Sequence, residues 1–370
     1  MCIRDRYLDE VKLIAVDHPK GTQIYPKEYM AVKLPQPEFQ IFCFDRLITP
    51  LKATDHLGRE VTRKIMKLDR RYAGPSELDH RFIGIAKPYT IELDFGQALS
   101  SIPSNAKVVL LAHGWVEYGY SSTNYAAYQA GLQPKAPTVS VKREGKWVVL
   151  YEEAGYPAGI NHFMTLDLTG KIEKHDRFFR ISSTMEIYWD RIVLGIDQGN
   201  PVKIKELSAY KADLRYRGYP KEYSPDGRSP NLYDYENLES PVCWKLMKGN
   251  YTRFGDVKEL VDKADDLFVI MGHGEEVSLA FKSQAFGPLP NGFERTFILK
   301  TESYCKDMDL YTAYPETVEP LPFHKMSNYP YGEEEKYPQT AKHKNYLRRY
   351  NTRSVGRPNL LEKQAVREDL

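Results

Sequence analysis

The fragment "VVLLAHGWVEYGYSS", residues 108 to 122, is the most enzyme-like stretch of the chain. An apolar run ending in His-Gly is how the oxyanion loop of an α/β-hydrolase often begins, and the chemistry would be acyl-ester hydrolysis. That chemistry also needs a nucleophile elbow, G-x-S-x-G. The sequence has none: "GYSST" starts at Gly119 but places Thr123 where the second glycine belongs. With half of the constellation missing, His113 is expected on a core strand that turns at Gly114, with Trp115 packed under it. No serine or cysteine is expected within hydrogen-bonding reach of the imidazole, Ser121 and Ser122 included.

Other chemistry-bearing residues are weighed the same way. In "MGHGEEVSLAF" His273 precedes Glu275 and Glu276, but neither HExxH nor an equivalent metal spacing is present, so a tight turn is expected. No GxxxxGK occurs and G-x-G-x-x-G is incomplete, which leaves nucleotide binding unsupported. Asp307 and Asp309 in "CKDMDLYTAYPET" stand two apart as at the opening of a calcium loop. Tyr311 holds the third ligand position and no glycine follows, so the expectation is a solvated turn, with structural calcium at a sandwich edge as the alternative. No other cofactor is indicated.

Trp189 with Asp190 and Arg191, in "EIYWDRI", is most simply a core ring beside a surface ion pair. A Trp or Tyr platform next to a carboxylate is also how sugar-binding β-sandwiches hold a pyranose. Trp189 with Asp190 is one candidate platform, and Trp115, Tyr118 and Tyr120 form the second. No catalytic carboxylate pair of the glycosidase kind is evident. His324, inside "TVEPLPFHKMSNYPYGEEEKYP", has no Ser, Cys or second His near it in sequence. It is expected to be partly exposed and remote from any carboxylate cluster.

The elements that must position these residues are mostly strands, read from period-two alternation. "TVSVKREGKWVVLY" predicts a hairpin turning at Glu144-Gly145, and "TIELDF" and "EVSLAFK" predict half-buried antiparallel strands. "RISSTMEIYWDRIVLG" alternates on odd positions to Trp189 and on even ones from Ile192, which predicts a bulge near Asp190. "GDVKELVDKADDLF" has helical spacing and a capping box from Asp256 to Glu259, predicting a helix over 256–266. "EVTRKIMKLDRRY" predicts a shorter one, and "TNYAAYQAG" a turn or two ending at Gly131. In residues 317–331 the prolines force an extended backbone while Leu321, Phe323, Met326 and Tyr329 supply apolar rings and chains. That pattern predicts an ordered strap laid across a sheet, with Leu321 and Phe323 buried.

A chain of 370 residues suggests two domains, and the "GIDQGNP" cluster at 195–201 supplies a seam. The 52 Lys and Arg nearly cancel the 50 Asp and Glu, so no global field selects nucleic acid as a partner. No apolar run reaches the length of a membrane span, and the start lacks signal-peptide order. The 27 Tyr against 4 Trp suit half-buried sheet surfaces. Cys2, Cys43, Cys243 and Cys305 lack zinc spacing and indicate no disulfide framework, although one pair is open. Residues 1–6, "MCIRDR", resemble an adapter-derived start and are set aside, with the native chain expected to begin earlier.

Several phrases together, "VKLIAVDHPKGTQIYP", "YPAGINHFMTLDLTGK", "STMEIYWDRIVL", the strap and "YNTRSVGRP", resemble the C-terminal region of bacterial FG-GAP (VCBS) repeat proteins of the ASPIC/UnbV, cartilage-acidic-protein-like kind. The likeness runs from Tyr7 to about Pro358. It implies an extracytoplasmic location, secreted or at the cell surface, and a role in adhesion or binding, and it carries no assigned functional residues. The fold expected is mainly β, with two antiparallel β-sandwich modules of jelly-roll or galactose-binding-like type and few short helices. Module 1 spans 7–197 and lacks upstream strands; module 2 spans 198–330, and 331–370 is a basic extended tail. The function expected is a non-catalytic interaction or scaffold module with a protein or glycan surface partner. The alternative is a carbohydrate-binding module or a hydrolase centred near His113.

Overall fold

A computed structural model describes residues 4–32, 37–157, 159, 161–239 and 246–356. The protein is mainly β, and its sheets are antiparallel. The first strands are β1 (Arg4–Pro19), β2 (Gln23–Pro26), β3 (Ile41–Phe44), β4 (Arg46–Ile48), β5 (Lys52–Asp55) and β6 (Ile85–Asp94). Then come β7 (Lys107–Val116), helix α1 (Ser121–Gln129), β8 (Thr138–Arg143), β9 (Lys146–Tyr151), β10 (His162–Asp167), β11 (Phe178–Met185) and β12 (Ile187–Asp197). There follow β13 (Lys203–Ser208), β14 (Lys211–Tyr216), β15 (Tyr219–Tyr223), β16 (Leu232–Glu239), β17 (Gly249–Tyr251), β18 (Gly255–Asp256) and β19 (Val269–Met271). The last elements are β20 (Glu275–Ala280), β21 (Phe293–Asp307), helix α2 (Ala341–Tyr350) and β22 (Arg353–Val355). Among the described residues no helix is long and apolar enough to cross a membrane.

The chain divides into two compact units. A central unit comprises Val16–Lys203 and Leu289–Thr296; a composite unit comprises Met1–Ala15, Ile204–Pro288 and Phe297–Leu370. Sequence reading assigned residues 7–15 to the same module as 16–197, whereas the structure places them with the composite unit.

The central unit is a sandwich of a four-stranded sheet, β10-β7-β12-β4, and a five-stranded sheet, β5-β6-β11-β8-β9. Alternate residues of both sheets, such as Leu110, Ile192 and Leu194 facing Leu93, Val141 and Phe179, share one core, as two apolar sheet faces must to leave water. Strands β7 and β12 are apolar on both faces because β3 covers the other side, where Phe42 and Phe44 pack on Val109, Leu111 and Val193. The hairpin β8–β9 turns at Glu144 (φ 48°) and Gly145 (φ 76°), the two left-handed residues that a tight two-residue turn requires. The bulge expected near Asp190 is present as a register shift between Trp189 and Arg191.

The composite unit gathers sequence-distant strands. Its sheets run β13-β1-β19 with β21 also on β1, and β18-β14-β20, with two-stranded pairs β15–β16 and β17–β22. Tyr7 and Val11, Leu214, Val257, Val261, Phe268 and Ile270 form its core. The strap belongs here and is packed as expected: Val318, Leu321 and Phe323 are buried in that core without helix or regular strand. It is pinned by Val318, whose N–H donates to Lys248 O (2.8 Å) and whose carbonyl accepts from Tyr7 OH (2.7 Å).

Three expectations fail. The segment 256–266 is one 3-10 turn, Lys258–Leu260, in place of a helix, and 61–72 likewise holds only the 3-10 turn Thr62–Lys64. In each, a neighbouring strand takes a carbonyl that an i to i−4 ladder needs: Ile65 O accepts from Ile192 N–H, and Val261 O from Val11 N–H. The apolar residues at helical spacing are buried all the same. The third failure is the basic tail, which contains α2 and β22 and seats Tyr337, Tyr346 and Tyr350 in the composite core. Helix α1 does end at a left-handed Gly131 (φ 74°) as expected. Cys43 is a buried free thiol and Cys305 an exposed one; Cys2 and Cys243 lie outside the described residues. Arg6 pairs with Met271, so the strand β1 takes in residues that sequence reading set aside.

Candidate functional site

Both units carry one structural device, built from "VTRKIMKLDR" (61–70) with "YWDRI" (188–192) in the central unit and "VKELVDKADD" (257–266) with "YLDEV" (7–11) in the composite unit. Val61 N–H donates to Ala53 O, as Val257 does to Ala212 O; Ile192 N–H donates to Ile65 O, as Val11 does to Val261 O. Met66 bridges Arg191, as Asp262 bridges Glu10. Each segment ends on a left-handed residue, Arg70 (φ 62°) or Asp266 (φ 65°). Each turn is held by a buried aspartate. Asp190 accepts the N–H groups of Asp69 (3.3 Å) and Arg70 (3.4 Å), and Asp9 Oδ2 accepts that of Asp266 (3.0 Å).

In the central unit Asp190 faces His113, with Oδ2 at 3.7 Å from Nδ1. That is beyond hydrogen-bond distance, and His113 Nδ1 has no hydrogen-bond partner among the described residues. Burial, with the charges of His162 and Arg191 as lesser causes, pulls the His113 imidazole down to about 4, so the ring is neutral at pH 7. Burial pushes the Asp190 carboxyl upward against the backbone donors that lower it.

A cavity of about 230 Å³ opens beside this ring, lined by Tyr25, Glu28, His113, Asn161, His162 and Phe163 along with Pro26. Strands position the set: Phe163 pairs with His113 across β10 and β7, and His162 with Gly114. Tyr25 meets Phe163 edge-on at 5.0 Å, and the His113 ring lies 4.7 Å from Phe163. His162 Nε2 sits 2.6 Å from Glu28 Oε1, and the Asn161 amide is hydrogen-bonded to Tyr72 OH at 3.0 Å. The lining therefore pairs aromatic faces with a neutral imidazole, an amide and a carboxylate, which is equipment for hydroxyl groups more than for a formal charge. A larger cavity of about 330 Å³, lined by Leu99, Ile102, Val108 and Ile172 among others, has Glu173 at its edge, held by Arg143 at 3.2 Å.

In the composite unit the buried aspartate has different company. His324 Nδ1 lies 2.7 Å from Asp266 Oδ1 and 3.6 Å from Asp9 Oδ2, and its Nε2 is 3.8 Å from Glu302 Oε1. The strap presents His324 here because its backbone N–H also donates to Asp266 Oδ1 (2.8 Å). Asp9 is 0% exposed and its Oδ1 has no hydrogen-bond partner among the described residues. Burial pushes its carboxyl up to about 6, although the Asp266 backbone donor and the His324 charge both pull it down. Asp9, Asp266 and His324 form a group of ligand atoms that all lie within 4.8 Å of one another. His324 is partly exposed as expected, but it sits within a carboxylate cluster where sequence reading placed it far from one.

The other sequence candidates disperse. Trp115 is 8% exposed and stacked on Tyr188 at 4.7 Å, and Trp189 is 0% exposed, so neither ring is an open platform. Gly114 does not turn the chain: β7 runs through it, and only glycine fits there, since a Cβ would lie 2.5 Å from Tyr188 O. Tyr118 OH accepts the Gly159 N–H (2.8 Å) and packs on Tyr156, while Tyr120 is exposed ahead of α1. Asp190 is buried, contrary to the surface pair expected with Arg191. Among the described residues His113 Nδ1 has no hydrogen-bond partner, and the ring lies near Asp190 and Phe163. Asp307 ends β21 and Asp309 follows it, and neither is in the ligand-spaced cluster. His273 precedes Gly274 (φ 74°) in a tight turn into β20, as expected. Sequence reading missed Glu28, Asn161, His162 and Phe163, and the pairing of Asp9 with Asp266. The phrase "INHFMTLD", an aromatic and a histidine on opposite faces of one strand, carried the only local signal for the first group.

The chain has no match among protein-family models, curated proteins or solved structures.

Proposed function

We propose that this chain is a non-catalytic binding module and that the central sandwich takes a small polyhydroxylated ligand, a single sugar ring of a glycan, in the cavity beside His113. The observation that carries the reading is the cavity lining, in which Tyr25 and Phe163 offer ring faces and Glu28, Asn161, His113 and His162 offer hydrogen bonds. Its volume of about 230 Å³ is below the roughly 300 to 1,000 Å³ of drug-sized pockets, which suits one sugar residue. A His113 ring that burial holds neutral can donate from one nitrogen and accept at the other, the pattern a hydroxyl needs. Hydrolysis around His113 has less support, since the carboxylate behind it is beyond hydrogen-bond distance. The same proposal places the chain in an extracytoplasmic repeat protein of the FG-GAP, ASPIC/UnbV kind, where glycans are at hand.

The test is a glycan array, followed by titration of the best binder against the wild type, Tyr25→Ala and His162→Ala. Binding should fall at least tenfold in both variants while their melting temperatures stay within a few degrees of the wild type. An array without binders, or variants that bind like the wild type, would refute the assignment.

A further inference from the structure

The two copies of the turn device differ in one way that bears on charge. In the central unit the left-handed residue is Arg70, one of the two backbone donors to Asp190, and it brings a cationic side chain to the turn beside the carboxylate of Asp69. At the matching place in the composite unit stands Asp266, so a cation is replaced by a second carboxylate, and Glu302 adds a third within 3.8 Å of the His324 ring. Asp265 Oδ1 beside them is also buried with no hydrogen-bond partner among the described residues. A fully buried carboxylate with an orphaned oxygen, set against two others, is electrostatically costly unless something positive joins it. His324 is the one imidazole that the strap carries there, and its Nδ1 points at both aspartates.

We propose that Asp9, Asp266 and His324 form a site for one divalent transition cation, Zn²⁺ or Mn²⁺, bound by ligand atoms that lie within 4.8 Å of one another. The donor set decides the class: an imidazole nitrogen with carboxylate oxygens favours zinc or manganese, whereas calcium takes six to eight oxygens. A metal about 2.0–2.2 Å from each ligand puts tetrahedral neighbours roughly 3.3 to 3.6 Å apart. The 3.6 Å between His324 Nδ1 and Asp9 Oδ2 already meets that, and the 2.7 Å to Asp266 must open by under 1 Å. Binding would replace the hydrogen between His324 Nδ1 and Asp266 Oδ1, which leaves as a proton to solvent, and Asp9 would coordinate through a carboxylate oxygen lone pair. Glu302 Oε1, 3.8 Å from Nε2, adds negative charge on the far side of the ring without hydrogen-bonding to it. The strap residue and the β1 residue would then be joined through the metal, closing the composite unit at this point.

The experiment uses the full chain, stripped with a chelator and titrated calorimetrically with Zn²⁺, then Mn²⁺ and Ca²⁺, with thermal melts alongside. The wild type should bind one Zn²⁺ or Mn²⁺ per chain and melt at a higher temperature with it. His324→Gln and Asp266→Arg should each lose at least tenfold in affinity and lose the melting shift. Asp266→Arg keeps a residue type that the same left-handed position tolerates in the other unit, so it should fold, and it should be indifferent to chelator. Binding that is equal in the wild type and both variants would place the metal on other histidines and overturn the proposal. So would a shift from Ca²⁺ alone, or no shift with any of the three ions.

Discussion

Asp9→Asn tests the electrostatics of the composite unit without any ligand. Burial raises the Asp9 carboxyl from 3.8 to about 6, so the folded protein holds this proton more tightly than the unfolded chain does. The group's contribution is therefore fully present below about pH 4 and is lost as pH rises through 6. A shift of about two units at 1.36 kcal/mol each is worth about 3 kcal/mol across that window. Asparagine keeps an oxygen for the Asp266 N–H and cannot ionise. The variant should match or fall slightly below the wild type at pH 4 and gain on it by up to about 3 kcal/mol by pH 7. The assay is urea denaturation followed by far-UV circular dichroism at pH 4, 5, 6 and 7, with EDTA throughout. The difference between the two proteins is the quantity to read, because His113 works in the opposite direction. Its pKa is depressed from 6.5 to about 4, so its contribution is present at neutral pH and is lost as pH falls through that range. That contribution is common to both proteins and cancels. Parallel stability curves would show that Asp9 is not destabilised by its ionisation, and the argument from its orphaned oxygen would fail with it.

Two other substitutions probe packing. Phe323→Ala removes a ring that is 6% exposed in the composite core, at an expected cost of about 3 to 5 kcal/mol in the same denaturation assay. A loss below 1 kcal/mol would mean that the strap is only loosely seated. Gly114→Ala puts a Cβ 2.5 Å from the Tyr188 carbonyl, across two paired strands that cannot separate. It should lower the stability of the central unit by about 1 to 3 kcal/mol or more, read from tryptophan fluorescence, since Trp115 and Trp189 are both buried there. A wild-type melting curve would show that the strand has room to shift.

Strands were legible because period two survives burial on one face: the hairpin at Glu144-Gly145 and the bulge at Asp190 follow from the residues alone. The two false helices show the limit of spacing arguments. Val61 with Ile65 and Val257 with Val261 have helical separations, yet one 3-10 turn buries both members of each pair, and partner strands supply the rest of the backbone bonds. Helix α2 has a Thr340 N-cap and Tyr346 with Tyr350 four apart, signals that Lys342, His343, Lys344, Arg348 and Arg349 obscured. The duplicated device was hidden by order. Asp190 lies 120 residues after its turn partner Arg70, whereas Asp9 lies 257 residues before Asp266, so no fixed period links the copies. For the same reason His324 looked isolated: what surrounds it comes from both ends of the composite unit.

That arrangement has a consequence for how the chain folds. Tyr7 and Leu8 pair with Ile270 and Val269, and the core they enter is completed by Tyr346 and Tyr350. At a synthesis rate of about 5 to 20 residues per second, β1 therefore waits on the order of ten seconds or more for β13 and longer for β19, and meanwhile is an unsatisfied edge of the kind that recruits other chains. The central unit, continuous from Val16 to Lys203 apart from one short return, can meanwhile condense by itself. Expression hosts that translate slowly, or nicks in the long interval between β1 and β19, would then leave a sound sandwich attached to an unclosed partner. Aggregation of such material would start from β1, where the charges of Asp9, Lys12 and Asp17, buried in the folded protein, are what discourages a foreign strand.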